Sequence, residues 1–149
     1  MPPPTDPQAP DPQKLAEACA AAMWADDTAS QGLGMVLESV GPGTARMAMT
    51  VRDSMVNGHG MCHGGFIFTL ADSAFAFACN SRNAKSVAAQ GNISFLRPAR
   101  LGDRLTATAE ERHLAGRSGI YDIRVTDQAG AVIAELRGHS RAIGELFFK

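Results

Sequence analysis

Asp72 has the most unusual surroundings of any charged residue in the chain. It stands in FIFTLADSAFAFACNS (66–81), a stretch otherwise apolar apart from Thr69, Ser73 and its polar end. An ionised carboxylate is rarely buried unless it is paired or functional. Two readings follow. Asp72 lies on a wet stripe of a helix or bonds a nearby backbone group; or it is a base or nucleophile in a poorly hydrated site, where its proton affinity can be tuned. Just upstream, His63-Gly64-Gly65 sits where that helix would begin. The free N–H groups of a helix N-terminus, with the helix dipole, can polarise a carbonyl oxygen. Glycines 64 and 65 let a substrate approach that backbone closely, although a glycine pair also serves as a plain flexible entry.

The spacing of these groups carries a consequence. Asp72 follows Gly64 by eight residues, about 12 Å along one helix at 1.5 Å per residue. A base and an oxyanion donor must both lie within about 3 Å of the reacting atoms, so they can hardly serve one carbonyl from the same chain. Two antiparallel copies of the helix would bring Asp72 of one copy to Gly64 of the other. If both act, the site is shared and the enzyme is at least a dimer.

Other reactive residues give weaker patterns. His59, Cys62 and His63 do not match an established metal-ligand spacing, and no second group of ligands follows at a zinc-like interval; no metal is expected. Cys62 and His63 are chain neighbours, whose side chains point apart in extended backbone. Arg82, Lys85, Arg97, Arg100 and Arg117 flank the helix end and the segments after it. They are either a solvated surface or a phosphate clamp, since guanidinium groups bind phosphate through two bonds.

The elements that must position these residues follow from periodicity. An alanine-rich run from Lys14 to Ala29, with Leu15, Ala18, Ala22 and Ala25 on one face, predicts a helix closed by GLG at 32–34. MVLESV (35–40) and TARMAMTV (44–51) predict two strands joined by GPG, with Ala45, Met47, Met49 and Val51 on a buried face. VNGHGMCHGG (56–65) is a glycine-rich loop. The 66–81 helix is apolar nearly all round and must be buried on most sides; it is too short for a membrane span of about 20 residues. Strands are expected at 86–97, 103–115, 118–128 and 131–143, with DQAG (127–130) as a tight turn. One long helix wrapped by a curved antiparallel sheet, an α+β architecture, fits this order.

The 149 residues suit one domain, and 45% of them are hydrophobic, a normal globular value. The net charge of −1 gives no footprint for nucleic acid or an anionic membrane. Three scattered cysteines read as reduced thiols in a cytoplasmic protein. Residues 1–13, rich in proline, are expected to lack fixed structure, leaving 14–149 as the folded domain.

VNGHGMCHGGFIFTLADSAFAFACNS (56–81) resembles the signature of the hotdog-fold thioesterases, specifically the phenylacetic acid degradation branch. NISFLRPARLGDRLTATAEE (92–111) and the GR at 116–117 before a strand ending in DQAG share the resemblance, which runs from about Lys14 to Ile143. It implies a hotdog fold, a six-stranded antiparallel sheet around a long central helix. It also implies a homodimer with one continuous sheet, usually paired into a homotetramer. Asp72 then matches the catalytic carboxylate, and Gly64 the residue whose N–H polarises the thioester carbonyl. Asn57 and His63 match the polar residues that organise the site. Gly65, Arg97, Arg100 and Arg117 are the candidates for binding CoA. The implied substrates are aromatic acyl-CoA thioesters such as phenylacetyl-CoA and hydroxyphenylacetyl-CoA, with no cofactor beyond the CoA they carry. Phe66 stands at a position that varies in the family and shapes the acyl pocket. Two other functions are compatible with such a fold: hydration or dehydration of an acyl thioester, and non-catalytic acyl-CoA binding.

Overall fold

Asp11 starts the first helix: its carboxylate accepts from the N–H of Gln13 at 2.9 Å and Pro12 occupies the first turn. A computed structural model describes residues 1–2, 7 and 9–149. Of the expected proline-rich tail, residues 3–6 and 8 lie outside the described residues. The helix α1 (Pro12–Asp26) begins two residues before the expected boundary. It also ends early. Asp27 caps a separate short helix, α2 (Thr28–Gly32), where the sequence reading had one continuous helix to Ala29. The buried face of α1 is Ala16, Cys19 and Ala20, with Met23 and Trp24 packed beside them, not the expected Leu15, Ala18, Ala22 and Ala25. An alanine-rich run has little amphipathic preference, so its few larger side chains decide which way it turns.

The strands are β1 (Val36–Gly41), β2 (Thr44–Thr50), β3 (Ser86–Phe95), β4 (Arg104–Ala115), β5 (Ser118–Thr126) and β6 (Val132–Ala142), with α3 (Gly64–Cys79) between β2 and β3. Pro42 and Gly43 make the β1–β2 turn, Gly43 at the positive φ of 71° that the turn demands. The sheet is antiparallel throughout, in the order β1-β2-β4-β5-β6-β3. Helix α3 therefore carries the chain from β2 across the sheet to its far edge.

Alternation along the strands turns Met47, Met49, Leu105, Ala107, Ile123, Val125 and Leu136 toward α3, which answers with Ile67, Leu70, Ala71, Ala74, Phe75 and Ala78. Those helical residues recur at the spacing of one face. Phe75 packs on Tyr121 with ring centroids 5.4 Å apart, and Gly138 leaves room for the Phe75 ring on β6. As expected, α3 is buried on most sides, but not evenly. A second stripe, Phe68, Thr69, Asp72 and Ala76, is only half-buried. It faces away from the strands that bury the first. Beside it, β3 is exposed along its length except at Ser86 and Ile93, and Val87 and Phe95 are about half accessible, at 49% and 52%. No helix among the described residues is long and apolar enough to cross a membrane.

Candidate active site

The loop 56–63 is shaped by Asn57. Its Oδ1 accepts from the N–H groups of His59 (2.9 Å) and Met61 (3.2 Å), while its own N–H donates to the Met61 carbonyl at 2.8 Å. Asn57 thus closes a tight local loop, as short polar side chains do in turns. The loop is pinned to the segment after β3 by the Cys62 N–H on the Ala99 carbonyl (2.7 Å) and by a bridge between Met61 and Arg100. His63 is the N-cap of α3, its N–H bonded to the Met55 carbonyl at 2.8 Å and its side chain exposed.

Helix α3 starts at Gly64, not at Phe66, so both glycines lie in its first turn. Glycine is a poor helix former, yet in the first turn its N–H has no partner inside the helix to lose. Among the described residues no protein acceptor takes the Gly64 or Gly65 N–H. Gly64 opens into a cleft of about 360 Å³ shared with Asn57, Cys62, Ile67, Phe95 and Arg97. Most of the cleft's lining residues are apolar, and Gly64 and Arg97 share its wall with them.

Asp72 is not in that cleft. It lies two turns further along α3, half-buried on the outward stripe. Burial raises its carboxyl pKa above the usual carboxylate range, and the neighbouring charge of Asp27 raises it further. Beside it, Ser73 Oγ lies 2.8 Å from Ser30 Oγ of α2. Burial also pushes up the thiols of Cys62 and of Cys79, the latter to about 12, so neither is a thiolate nucleophile at neutral pH. All three cysteines are free and buried.

The structure therefore gathers Asn57, Gly64 and Arg97 in one cleft; His63 and Gly65, both exposed, flank Gly64 in the chain without lining it. It sets Arg100 in the loop that holds the cleft's far wall. Arg117 is elsewhere, lining a small separate cavity with Arg82, Cys79 and Tyr121. Arg97, Arg100 and Arg117 share one property: none joins an ion pair among the described residues, whereas Arg82 pairs with Glu111 and Lys85 with Glu145. Phe66 is half-buried against the core and does not line the cleft. Phe95 does, and no periodic signal marks it, because β3 is exposed on both faces. A wider groove of about 470 Å³ runs between α1 and β1, lined by Gln13, Glu17, Trp24 and Leu37. It lies away from α3's N-terminus and from Asp72.

The chain resembles known proteins in sequence and fold. Residues 59–134 match the family model of the thioesterase superfamily. The chain is 46% identical over 123 residues to the acyl-coenzyme A thioesterase PaaI of Escherichia coli, covering 83% of this chain and 88% of that one. It is 32% identical to the human acyl-coenzyme A thioesterase 13, over 74% of this chain and 80% of the relative. The solved structure of the E. coli PaaI protein from the phenylacetic acid degradation operon superposes with a TM-score of 0.90 at 43% identity, covering 91% of this chain and 99% of that one. A Streptococcus mutans protein solved with acetyl CoA bound superposes with a TM-score of 0.73 at 27% identity, over 75% and 90% of the two chains. With the six-stranded sheet around α3 as its hotdog fold, this chain belongs to the thioesterase superfamily.

Proposed function

We propose that the protein hydrolyses acyl-CoA thioesters, aromatic ones such as phenylacetyl-CoA and hydroxyphenylacetyl-CoA among them, in sites shared by two copies of the chain. The observation that carries this reading is the division of labour along α3: free N–H groups and an apolar cleft at its first turn, and a carboxylate of raised pKa two turns later on a half-exposed stripe. One copy supplies half of a hydrolytic site at each place. An antiparallel second α3 laid on the Phe68–Asp72 stripe supplies the other half. The exposed edge of β3 lies beside the stripe, so the two sheets would join there into one. Two such dimers pairing would give a tetramer.

In this arrangement the acyl group enters the cleft with its carbonyl oxygen on the Gly64 N–H. The helix dipole and that N–H stabilise the oxyanion as it develops. His63, at the cap, lies on the solvent side of the carbonyl, and Asn57 holds the loop that shapes the entrance. Arg97 and Arg100 receive the CoA phosphates; Arg117 reaches them only from a second copy. Asp72 of that copy, ionised, either takes a proton from an attacking water or attacks the carbonyl itself to give a mixed anhydride that water opens. Both routes release a free carboxylic acid and CoA thiol, and neither draws on a group other than water and these side chains.

The test is thiol release from a panel of acyl-CoAs, with wild type beside Asp72→Asn. Release that the variant loses by about 10²-fold or more, the scale of a positioned base, supports hydrolysis at Asp72. Mixing is the test of the shared site. Asp72→Asn and Gly64→Pro proteins, each inactive alone, should regain activity on exchange of subunits, because half of the mixed sites are intact. No recovery in a verified mixed dimer would rule out sharing.

A further inference from the structure

Helix α2 contains five residues and has no face large enough to bury on its own, yet its Ser30 is 1% exposed. The cause is a chain of bonds. Asp27 caps α2, one carboxylate oxygen accepting from the Ser30 N–H at 2.9 Å and the other from the Ser30 hydroxyl at 2.6 Å. Ser30 Oγ lies 2.8 Å from Ser73 Oγ on α3. A hydroxyl has one hydrogen, and an ionised carboxylate only accepts. The Ser30 hydrogen is therefore spent on Asp27, and Ser73 must donate to Ser30. The order Ser73→Ser30→Asp27 ties α2 to α3 at the residue next to Asp72.

We propose that Asp27 is a positioning residue for thioester hydrolysis: through Ser30 and Ser73 it fixes the segment of α3 that bears Asp72, and it holds a second anion against that carboxylate. The proposal rests on the reading of Asp72 as the catalytic carboxylate. Its physical content is that Asp72 is a stronger base than burial alone would make it. The raised Asp72 pKa has two sources, burial first and then the charge of Asp27.

The other groups around Asp72 do not duplicate this role. On α3 the titratable neighbour is Cys79, neutral up to about 12. On α1, Asp26 is exposed and Glu17 faces the groove beside β1. β1 and β2 carry Glu38 and Arg46, which pair with each other on the outer side. The inward positions of β4, β5 and β6 are apolar until Tyr121, which bonds Glu111 and through it Arg82; these gather at the Cys79 end of α3. β3 has no titratable side chain. A second copy laid antiparallel would bring Asn57, His63 and Gly64, none of them a carboxylate.

Asp27→Asn is the variant that separates charge from structure. Asparagine is an equally good N-cap, so it can still accept from the Ser30 N–H, and the Ser30 and Ser73 hydroxyls can reverse their direction to meet its amide. The measurement is the pH profile of kcat/KM for thiol release, with thermal unfolding alongside. The acid limb of Asp27→Asn should move to lower pH and the plateau of kcat should fall by less than about tenfold, a small part of the 10²–10⁴ that a positioned base contributes, with KM unchanged. Ser73→Ala should lower kcat without moving the limb, since the charge remains. An acid limb that stays in place in Asp27→Asn overturns the proposal. If Asp27→Asn does not fold, Asp27→Ser supplies a neutral cap, and the same unmoved limb in it has the same meaning. A separate failure is visible at once: activity retained by Asp72→Asn would remove the reading of Asp72 itself, whatever Asp27 does.

Discussion

The ring of Phe95 lies against the Cα of Gly64. A methyl group placed on Gly64 would sit 2.9 Å from the ring's Cζ and 3.2 Å from Cε1. Phe95 is at the end of the edge strand and is half accessible, so it can swing aside at modest cost.

Gly64→Ala and Gly64→Pro should therefore differ. Alanine keeps the N–H and displaces only Phe95; thiol release should fall several-fold, mainly through KM, as the cleft loses its wall. Proline fits the first helical position, and His63 already has the extended backbone that a following proline needs, φ −59° and ψ 134°. It removes the N–H. The further loss, read in kcat, should be about 10²–10³-fold. Equal kcat for the two variants would exclude the Gly64 N–H from oxyanion binding.

Asp72 bears on stability as well as on rate. Its pKa is raised on folding, so the folded chain holds that proton more tightly than the unfolded one. The ionised group therefore opposes folding. That penalty is absent below the ordinary aspartate range, grows as pH rises toward the folded-state pKa, and is fully present above it. Asp72→Asn should be inactive and yet melt at the same temperature as wild type or up to about 4 °C higher at pH 7, on a scale where 1 kcal/mol moves a chain of this size by about 2–4 °C. The gap should close toward pH 4. A lower melting temperature for the variant at neutral pH would contradict a half-buried carboxylate whose ionised form opposes folding.

Substitution of Arg97, which lines the cleft, tests the proposed contact with the CoA phosphates. Arg97→Ala should raise KM for acyl-CoA by about 3–10-fold, the partial loss of an exposed charge-assisted bond, and leave kcat in place. Against an acyl-pantetheine, which lacks the nucleotide phosphates, the same variant should equal wild type. The effect should shrink with added salt.

Phe75→Ala tests the core beneath the site. Phe75 is 2% exposed, packed between Tyr121 and the bare backbone of Gly138. Losing the ring should cost about 3–5 kcal/mol of stability by denaturant unfolding, and a loss under 1 kcal/mol would mean the ring is not held there.

The sequence made the strands and α3 legible because both rest on signals that survive tertiary context. Alternation at Ala45, Met47, Met49 and Val51 names a buried face, and those residues are buried. Sixteen residues without a helix breaker can hardly be anything but one helix. The misreadings fall where backbone termini compete with propensity. Gly64 and Gly65 looked like loop because glycine weakens helix interiors, but they fill a first turn that asks nothing of their N–H groups. Asp27 looked like part of an alanine-rich helix. The cue was Asp27 followed three residues later by Ser30, a capping spacing. Asn57 was expected among the residues that organise the site; it lines the cleft, and its Oδ1 accepts from the N–H groups of His59 and Met61, a local contact that residue type alone does not announce. No sequence pattern could announce Ser30 against Ser73, since the contact joins residues 43 apart.

The two borders of the sheet are finished differently. At β1 the strand is interrupted by a bulge between Leu37 and Ser39, and the Val40 carbonyl is taken by the Gln13 side chain at 2.8 Å. From Val87 to Phe95 no described hydrogen bond reaches the outer border of β3. A chain with two open borders could add neighbours without end and grow into fibrils. With the β1 border interrupted and partly covered, edge-to-edge pairing through β3 would end at a single addition, and a fibril begun at the exposed strand would have no matching border on which to continue.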